Sequence, residues 1–164
     1  MMQQRIFRAS VVTMTWVGIA VGLLGAGATT ARAQGGPPKF LKVVATAPSA
    51  AAAGKPFTLT VAITIDKPYH IQGNPPKDGY IATVVTVAGA GFKVGKITYP
   101  KAIQANIAGD TLPVYEGTIQ VKAEVTPAKP GKYKLPVSVR FQGCNEASCY
   151  PPNTATATAE INVK

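Results

Sequence analysis

Cys144 and Cys149 are the only cysteines in the chain, placed in the run Val139-Arg140-Phe141-Gln142-Gly143-Cys144-Asn145-Glu146-Ala147-Ser148-Cys149-Tyr150-Pro151-Pro152. Two thiols at this spacing can close a small structural disulfide, or they can open and close as a redox couple. The spacing is not C-x-x-C, and no βαβ pattern surrounds it. Zinc is excluded, because two thiols and His70, the single histidine, fall short of four ligands. Met1, Met2 and Met14 are the only methionines and all lie at the extreme N-terminus, which leaves no methionine copper site. No cofactor and no metal are expected. A disulfide is feasible if Asn145-Glu146-Ala147-Ser148 turns the chain back, and Pro151-Pro152 would end ladder pairing directly afterwards. As a staple, so short a loop removes little chain entropy, about 2 kcal/mol on the loop-closure model. A small loop between neighbours in sequence can also open without unfolding a domain. Both readings stand on these residues, which lean towards exchange.

The elements that must position this pair are all β in pattern. Residues 1–33 read as an export signal, with Arg5 and Arg8 ahead of an apolar run and Ala31-Arg32-Ala33 as a small-x-small cleavage box. Export places the cysteines where disulfides persist, and no stable membrane insertion is expected after cleavage. Residues 34–39 read as a flexible leader, and 40–164 as one domain, long enough for its own core. Segments 40–47, 57–65, 80–87, 92–98, 117–125, 133–141 and 155–163 alternate apolar and polar residues and are rich in Val, Ile and Thr. Gly, Pro, Asn and Asp clusters separate them, and no stretch shows a helical period. About seven short strands at this spacing predict an all-β, Ig-like antiparallel sandwich. The two cysteines that join facing sheets in immunoglobulin domains are absent, since this pair is local. The formal charge of +10 is carried mainly by scattered lysines without interleaved aromatics. That argues against nucleic acid and for a self-repelling soluble surface.

The segment Phe141-Gln142-Gly143-Cys144 … Cys149-Tyr150-Pro151-Pro152-Asn153-Thr154 resembles the active-site strand of the N-terminal periplasmic domain of the thiol:disulfide interchange protein DsbD. Tyr99-Pro100, Val114-Tyr115-Glu116-Gly117 and Pro68-Tyr69-His70-Ile71 are also similar to that family's pattern. The resemblance spans roughly residues 42–163 and is most specific at the cysteine segment. It implies an Ig-like domain that carries reducing equivalents in the periplasm. The implied donor is a DsbD- or CcdA-like membrane protein. The implied acceptors are thioredoxin-like periplasmic thiol proteins, including disulfide isomerases and cytochrome c maturation factors. Cys149 is implied to form the mixed disulfide with partners and Cys144 to resolve it. A cap loop shields the pair in the family, and Tyr115, with Glu116 and Tyr150, is the cover implied here. Tyr69, His70 and Gln142 would line the site.

Three departures bear on mechanism. The turn between the cysteines is one residue shorter than in the best-known member. Pro113 and Val114 stand where acidic residues precede the cap aromatic, while Glu116 follows it and Glu146 lies between the cysteines. Third, the sequence ends after this segment, so the electron donor is expected to be a separate protein. Glu146 would favour a protonated thiol. Arg140, if the strand stays regular, shares a face with Gln142 and Cys144. Asp78 and Asp110 read as turn residues. A lone histidine is more often packed or superficial than catalytic, so His70 carries no assigned step. The rival to an exchange module is an Ig-like protein-binding module with a structural disulfide. A hydrolase has little support, since no nucleophile–His–acid set beyond His70 and no glycine elbow is present.

Overall fold

The computed structural model describes residues 39–164; the expected signal peptide (1–33) and the leader up to residue 38 lie outside the described residues. Among the described residues twelve strands follow one another: β1 (Leu41–Thr46), β2 (Ala50–Ala51), β3 (Phe57–Ile65), β4 (His70–Gln72), β5 (Val84–Val87), β6 (Phe92–Thr98), β7 (Ile103–Ile107), β8 (Asp110–Tyr115), β9 (Gly117–Pro127), β10 (Gly131–Phe141), β11 (Gly143–Cys144) and β12 (Asn153–Val163). They form three four-stranded sheets, ordered β1-β3-β9-β6, β2-β12-β10-β5 and β11-β4-β8-β7. All pairings are antiparallel except the two-residue contact of β2 with β12. Among the described residues no helix is long and apolar enough to cross a membrane.

The first two sheets share one core. Alternation places Leu59, Val61, Ile63 and Ile65 of β3 inward with Val121, Ala123 and Val125 of β9. Leu135, Val137, Val139 and Phe141 of β10 and Ala159, Ile161 and Val163 of β12 enter the same cluster. Burying each large aliphatic side chain contributes about 1.5–3 kcal/mol, the main term favouring this arrangement. The result is the expected all-β, Ig-like sandwich.

The strand count differs from the seven expected, and the reason is local. Strands β2, β4 and β11 are too short to show a period, and β8 contains Pro113, which reads as a breaker. Only the second half of segment 80–87 forms a strand, β5. Ahead of it, the Ile81 N–H and the Thr83 carbonyl find side-chain partners instead. Gln142 Oε1 accepts from the Ile81 N–H, and Asn74 Nδ2 donates to the Thr83 carbonyl.

The third sheet decides where the cysteines go. β10 and β12 pair along their whole length, from Gly131 opposite Val163 to Phe141 opposite Asn153. The cysteine segment is therefore the connection between these two strands, projecting past the end of their ladder. There β11 leaves the β10 sheet and pairs with β4, Gly143 opposite Ile71 and Cys144 opposite His70.

Candidate functional site

The connection is a tight, self-contained hairpin. Asn145 N–H donates to the Ser148 carbonyl (2.9 Å), and Tyr150 N–H donates to the Gly143 carbonyl (2.8 Å). Asn145 Oδ1 accepts from the N–H groups of Ala147 (2.9 Å) and Ser148 (2.8 Å), while its Nδ2 donates to the Tyr150 hydroxyl (2.8 Å). An Asx side chain that bonds the backbone two and three residues on favours such a turn locally. This turn brings Cys144 and Cys149 to a Cα–Cα distance of 4.0 Å, and the two sulfurs are bonded.

The two cysteines differ in access. Cys144 is fully buried, whereas Cys149 and Tyr150 beside it are partly exposed. Cys144 belongs to a small apolar cluster with Ile107, Leu112 and Val114, against which Tyr80, Ala105 and Cys149 pack. Ile107 and Leu112 come from the β7–β8 hairpin, which turns through Ala108 and Gly109, both at positive φ (51° and 86°). That geometry matches the primed turns that fit the twist of paired strands. The hairpin is held at two points. Ala108 N–H donates to the Glu146 carbonyl (3.1 Å). Asp110 receives Lys77 Nζ on one oxygen (2.7 Å) and the Tyr80 hydroxyl on the other (3.0 Å). These hydrogen bonds, Lys77 first, hold the Asp110 carboxyl below the ordinary aspartate value.

An aromatic group also stands at the cysteine hairpin, through Tyr150. The Phe40 and Tyr69 rings stack at 4.2 Å, and Tyr150 lies 6.4 Å from Phe40 and 6.2 Å from Tyr69. A cleft of about 370 Å³ runs beside it, lined by residues that include Tyr69, His70, Glu116 and Glu146. His70 Nε2 lies 3.2 Å from Glu116 Oε2.

The structure therefore gathers Cys144, Cys149, Tyr150, Tyr69, His70 and Glu116 at one end of the sandwich. Other expected residues sit differently. Tyr115 ends β8 opposite Ile71 but packs into the main core, not into the cluster around Cys144. Its hydroxyl accepts from Asn74 N–H and donates to the Pro100 carbonyl, and burial holds the phenol above the ordinary tyrosine range. Gln142 points its side chain at Ile81 N–H rather than at the sulfurs. Arg140 is exposed and does not share a face with Cys144, because β10 ends at Phe141 and the chain changes sheets. Asp110 does close a turn, and it also clasps Lys77 and Tyr80.

Sequence reasoning missed Ile107, Tyr80 and Gln72. The Ala108-Gly109-Asp110 run between Ile107 and Leu112 was a hairpin signal that could have found the first. Gln72 is fully buried and donates from Nε2 towards Cys144 Sγ (3.3 Å) and Cys149 Sγ (3.9 Å). No spacing rule marks it.

Residues 38–161 match the family model described as thiol:disulfide interchange protein DsbD, N-terminal. No curated protein matches the chain. Among solved structures, the N-terminal periplasmic domain of ScsB from Proteus mirabilis aligns with a TM-score of 0.53 at 12% identity, over 72% of this chain and 44% of that one. The chain thus spans less than half of that relative, and at this identity the likeness is one of fold. The Neisseria meningitidis DsbD N-terminal domain in its reduced form aligns at 21% identity over 70% of this chain and 82% of that one, TM-score 0.45. The complex between the DsbD and PilB N-terminal domains from the same organism aligns at 20% identity, over 77% and 88% of the two chains, TM-score 0.46.

Proposed function

The chain belongs to the family of the N-terminal domain of the thiol:disulfide interchange protein DsbD, and on that premise we propose that it relays reducing equivalents to oxidised periplasmic thiol proteins through Cys144 and Cys149. The observation that carries this reading is the asymmetry of the disulfide. One sulfur is sealed, the other is reachable, and both sit on a hairpin that Asn145 folds without help from the main ladder. The bond can be broken while β10 and β12 stay paired.

The reduced domain presents Cys149 as the attacking thiolate. It attacks one sulfur of the partner's disulfide, forming a Cys149–partner bond and releasing the partner's other sulfur as a thiolate. Cys144 then loses its proton and attacks Cys149 Sγ, which reforms the intramolecular disulfide and releases the second partner thiolate. Two electrons pass to the partner, whose two released thiolates take up from solvent the two protons that Cys149 and Cys144 gave up to it. Recharging by a membrane dithiol donor reverses these steps. The partner is a thioredoxin-like protein, the donor a DsbD- or CcdA-like membrane thiol protein, and the compartment the periplasm, reached through the signal in residues 1–33.

Shielding falls to Ile107, Leu112 and Val114 with Tyr80. Tyr115 supports them from the core and is not the lid itself. Tyr150, Tyr69 and the cleft at His70 and Glu116 form the face that a partner meets on reaching Cys149.

Mixed-disulfide trapping tests this reading. In periplasmic extract, Cys144→Ser accumulates covalent adducts through Cys149, whereas Cys149→Ser forms none. The wild-type couple equilibrates above about −300 mV, the range of labile rather than structural disulfides. Absence of adducts in both variants, with a lower potential, returns the disulfide to a staple.

A further inference from the structure

We propose that Gln72 is a working member of the exchange site, donating from Nε2 to the Cys144 sulfur as that sulfur becomes a thiolate. The proposal rests on the exchange reading above.

Gln72 and Thr83 are the buried polar residues of the described domain, and they behave differently. The Thr83 hydroxyl donates to the Gln72 carbonyl and is satisfied. The Gln72 side chain spends its donor on a disulfide sulfur at 3.3 Å, and its Oε1 is sealed from solvent with no hydrogen-bond partner. A disulfide sulfur is a weak acceptor, and an orphaned buried carbonyl is destabilising. Stability alone would place a methionine or leucine here. The opposite amide orientation would be worse, setting Oε1 against two sulfurs and orphaning two N–H donors.

The arrangement makes sense once the sulfur carries charge. Cys144 lies among Ile107, Leu112 and Val114, so a thiolate there loses its solvation. Among the described residues no cation is seen in contact with it. Arg140 is exposed, and Lys77 is engaged with Asp110, as is Tyr80 from the loop packed on the cluster. His70, beside Cys144 on β4, is turned to Glu116. Glu146 is exposed on the cysteine hairpin, and β7 carries no charged residue. That leaves the Gln72 amide as the donor within hydrogen-bond reach. Hydrogen bonds to ionised groups are roughly twice as strong as neutral ones.

Both directions of exchange pass through this thiolate. In recharging, a donor thiolate attacks Cys149 Sγ, and the Cys144–Cys149 bond breaks with its electron pair on Cys144. In delivery, Cys144 gives up its proton and attacks Cys149 Sγ of the mixed disulfide. Gln72 stabilises the leaving sulfur in the first case and the nucleophile in the second. Cys149, at 3.9 Å, gains less.

Stopped-flow reaction of the reduced chain with dithiobis(nitrobenzoate) separates the steps. Attack by Cys149 releases one nitrothiolate, and resolution by Cys144 releases the second. In Gln72→Met the first phase is expected within about twofold of wild type. The second slows by roughly tenfold at neutral pH, the scale of one charge-assisted hydrogen bond, and reaches half its maximal rate at a higher pH. Gln72→Glu, which keeps the shape, slows the same phase and gives the test if Gln72→Met does not fold. A second phase with unchanged rate and pH profile in a folded variant overturns the role of Gln72. Failure of the wild type itself to release a second nitrothiolate overturns the exchange reading instead.

Discussion

Ala108 donates its backbone N–H to the carbonyl of Glu146 at 3.1 Å, which ties the tip of the β7–β8 hairpin to the tip of the cysteine hairpin. Ile107, the residue before it, is thereby set down on Cys144. Neither contact involves the main β10–β12 ladder, so cover and disulfide can move as a local unit, in keeping with the low-stability segments that carry function in many folds.

Ile107→Ala truncates one of the two large aliphatic side chains, with Leu112, buried in the cluster around Cys144. A buried Ile-to-Ala change costs about 2–5 kcal/mol in a full core, and in this small cluster the lower end is expected. The rate of disulfide reduction by dithiothreitol rises. Tyr115→Phe is the contrast: it strips a partner from Asn74 N–H and the Pro100 carbonyl and costs about 1–3 kcal/mol of global stability. Its reduction rate stays at the wild-type value. Equal rates in all three proteins would remove the cover from Ile107.

The Asp110 clasp gives the cover a pH dependence with two limbs. The folded-state pKa of Asp110 is depressed by Lys77 and Tyr80, so its stabilisation is present above the unfolded value of 3.8 and is lost as pH falls through the folded value. Lys77 and Tyr80 are both raised by their hydrogen bonds to Asp110. Their share of the same clasp is present below 10.5 and 10.0 and is lost as pH rises through their folded values. The Ile107 methyl resonances should move in acid below 3.8 and again above 10.0, and lie flat between. Asp110→Asn should abolish the acid limb. Ile107 signals that ignore the Asp110 titration would show that the clasp does not hold the hairpin.

Asn145→Ala removes two hydrogen bonds that fold the turn between the cysteines and one to Tyr150. In the oxidised protein the disulfide still closes the turn, and thermal unfolding should change little. In the reduced protein the turn then rests on its backbone hydrogen bonds, Asn145 to Ser148 and Tyr150 to Gly143, and on the Ala108–Glu146 contact. A loss of about 1 kcal/mol of turn preference should move the equilibrium with glutathione towards the dithiol by roughly fivefold. A glutathione equilibrium identical to wild type would assign the turn to its surroundings.

Gly143 has no room for a side chain. A Cβ there would meet Phe40 Cζ at 2.5 Å, and that ring is stacked on Tyr69 and edge-on to Phe141. Gly143→Ala should cost about 1–3 kcal/mol in urea unfolding, the range for overpacking. Adding Phe40→Leu should recover part of that loss, a coupling that a double-mutant cycle measures. Strict additivity would mean that the strain is relieved elsewhere.

Much of this was legible in the chain. Period-two alternation located β3 and β6 to the residue, and the cores of β1, β9, β10 and β12. The turn at Asn145-Glu146-Ala147-Ser148 and the stop to ladder pairing at Pro151-Pro152 were readable around the cysteines. What was not legible came from short or polar elements. β4 and β11 have too few residues to show a period, β8 contains Pro113, and that Tyr115 packs in the main core while Ile107 packs with Cys144 depends on how the third sheet folds. Gln72 fell in a stretch of Gly, Asn and Pro that reads as a turn.

By itself the sequence determined the all-β class, the cysteine pair and the hairpin that joins them, because these depend on residue type and separations of a few positions. The third sheet decided the rest. It alone sets which sulfur is sealed, which side chains cover it, and that a glutamine some seventy positions upstream points at it. Local propensity does not encode such contacts, since they arise only when strands remote in sequence pair and bury one another's ends.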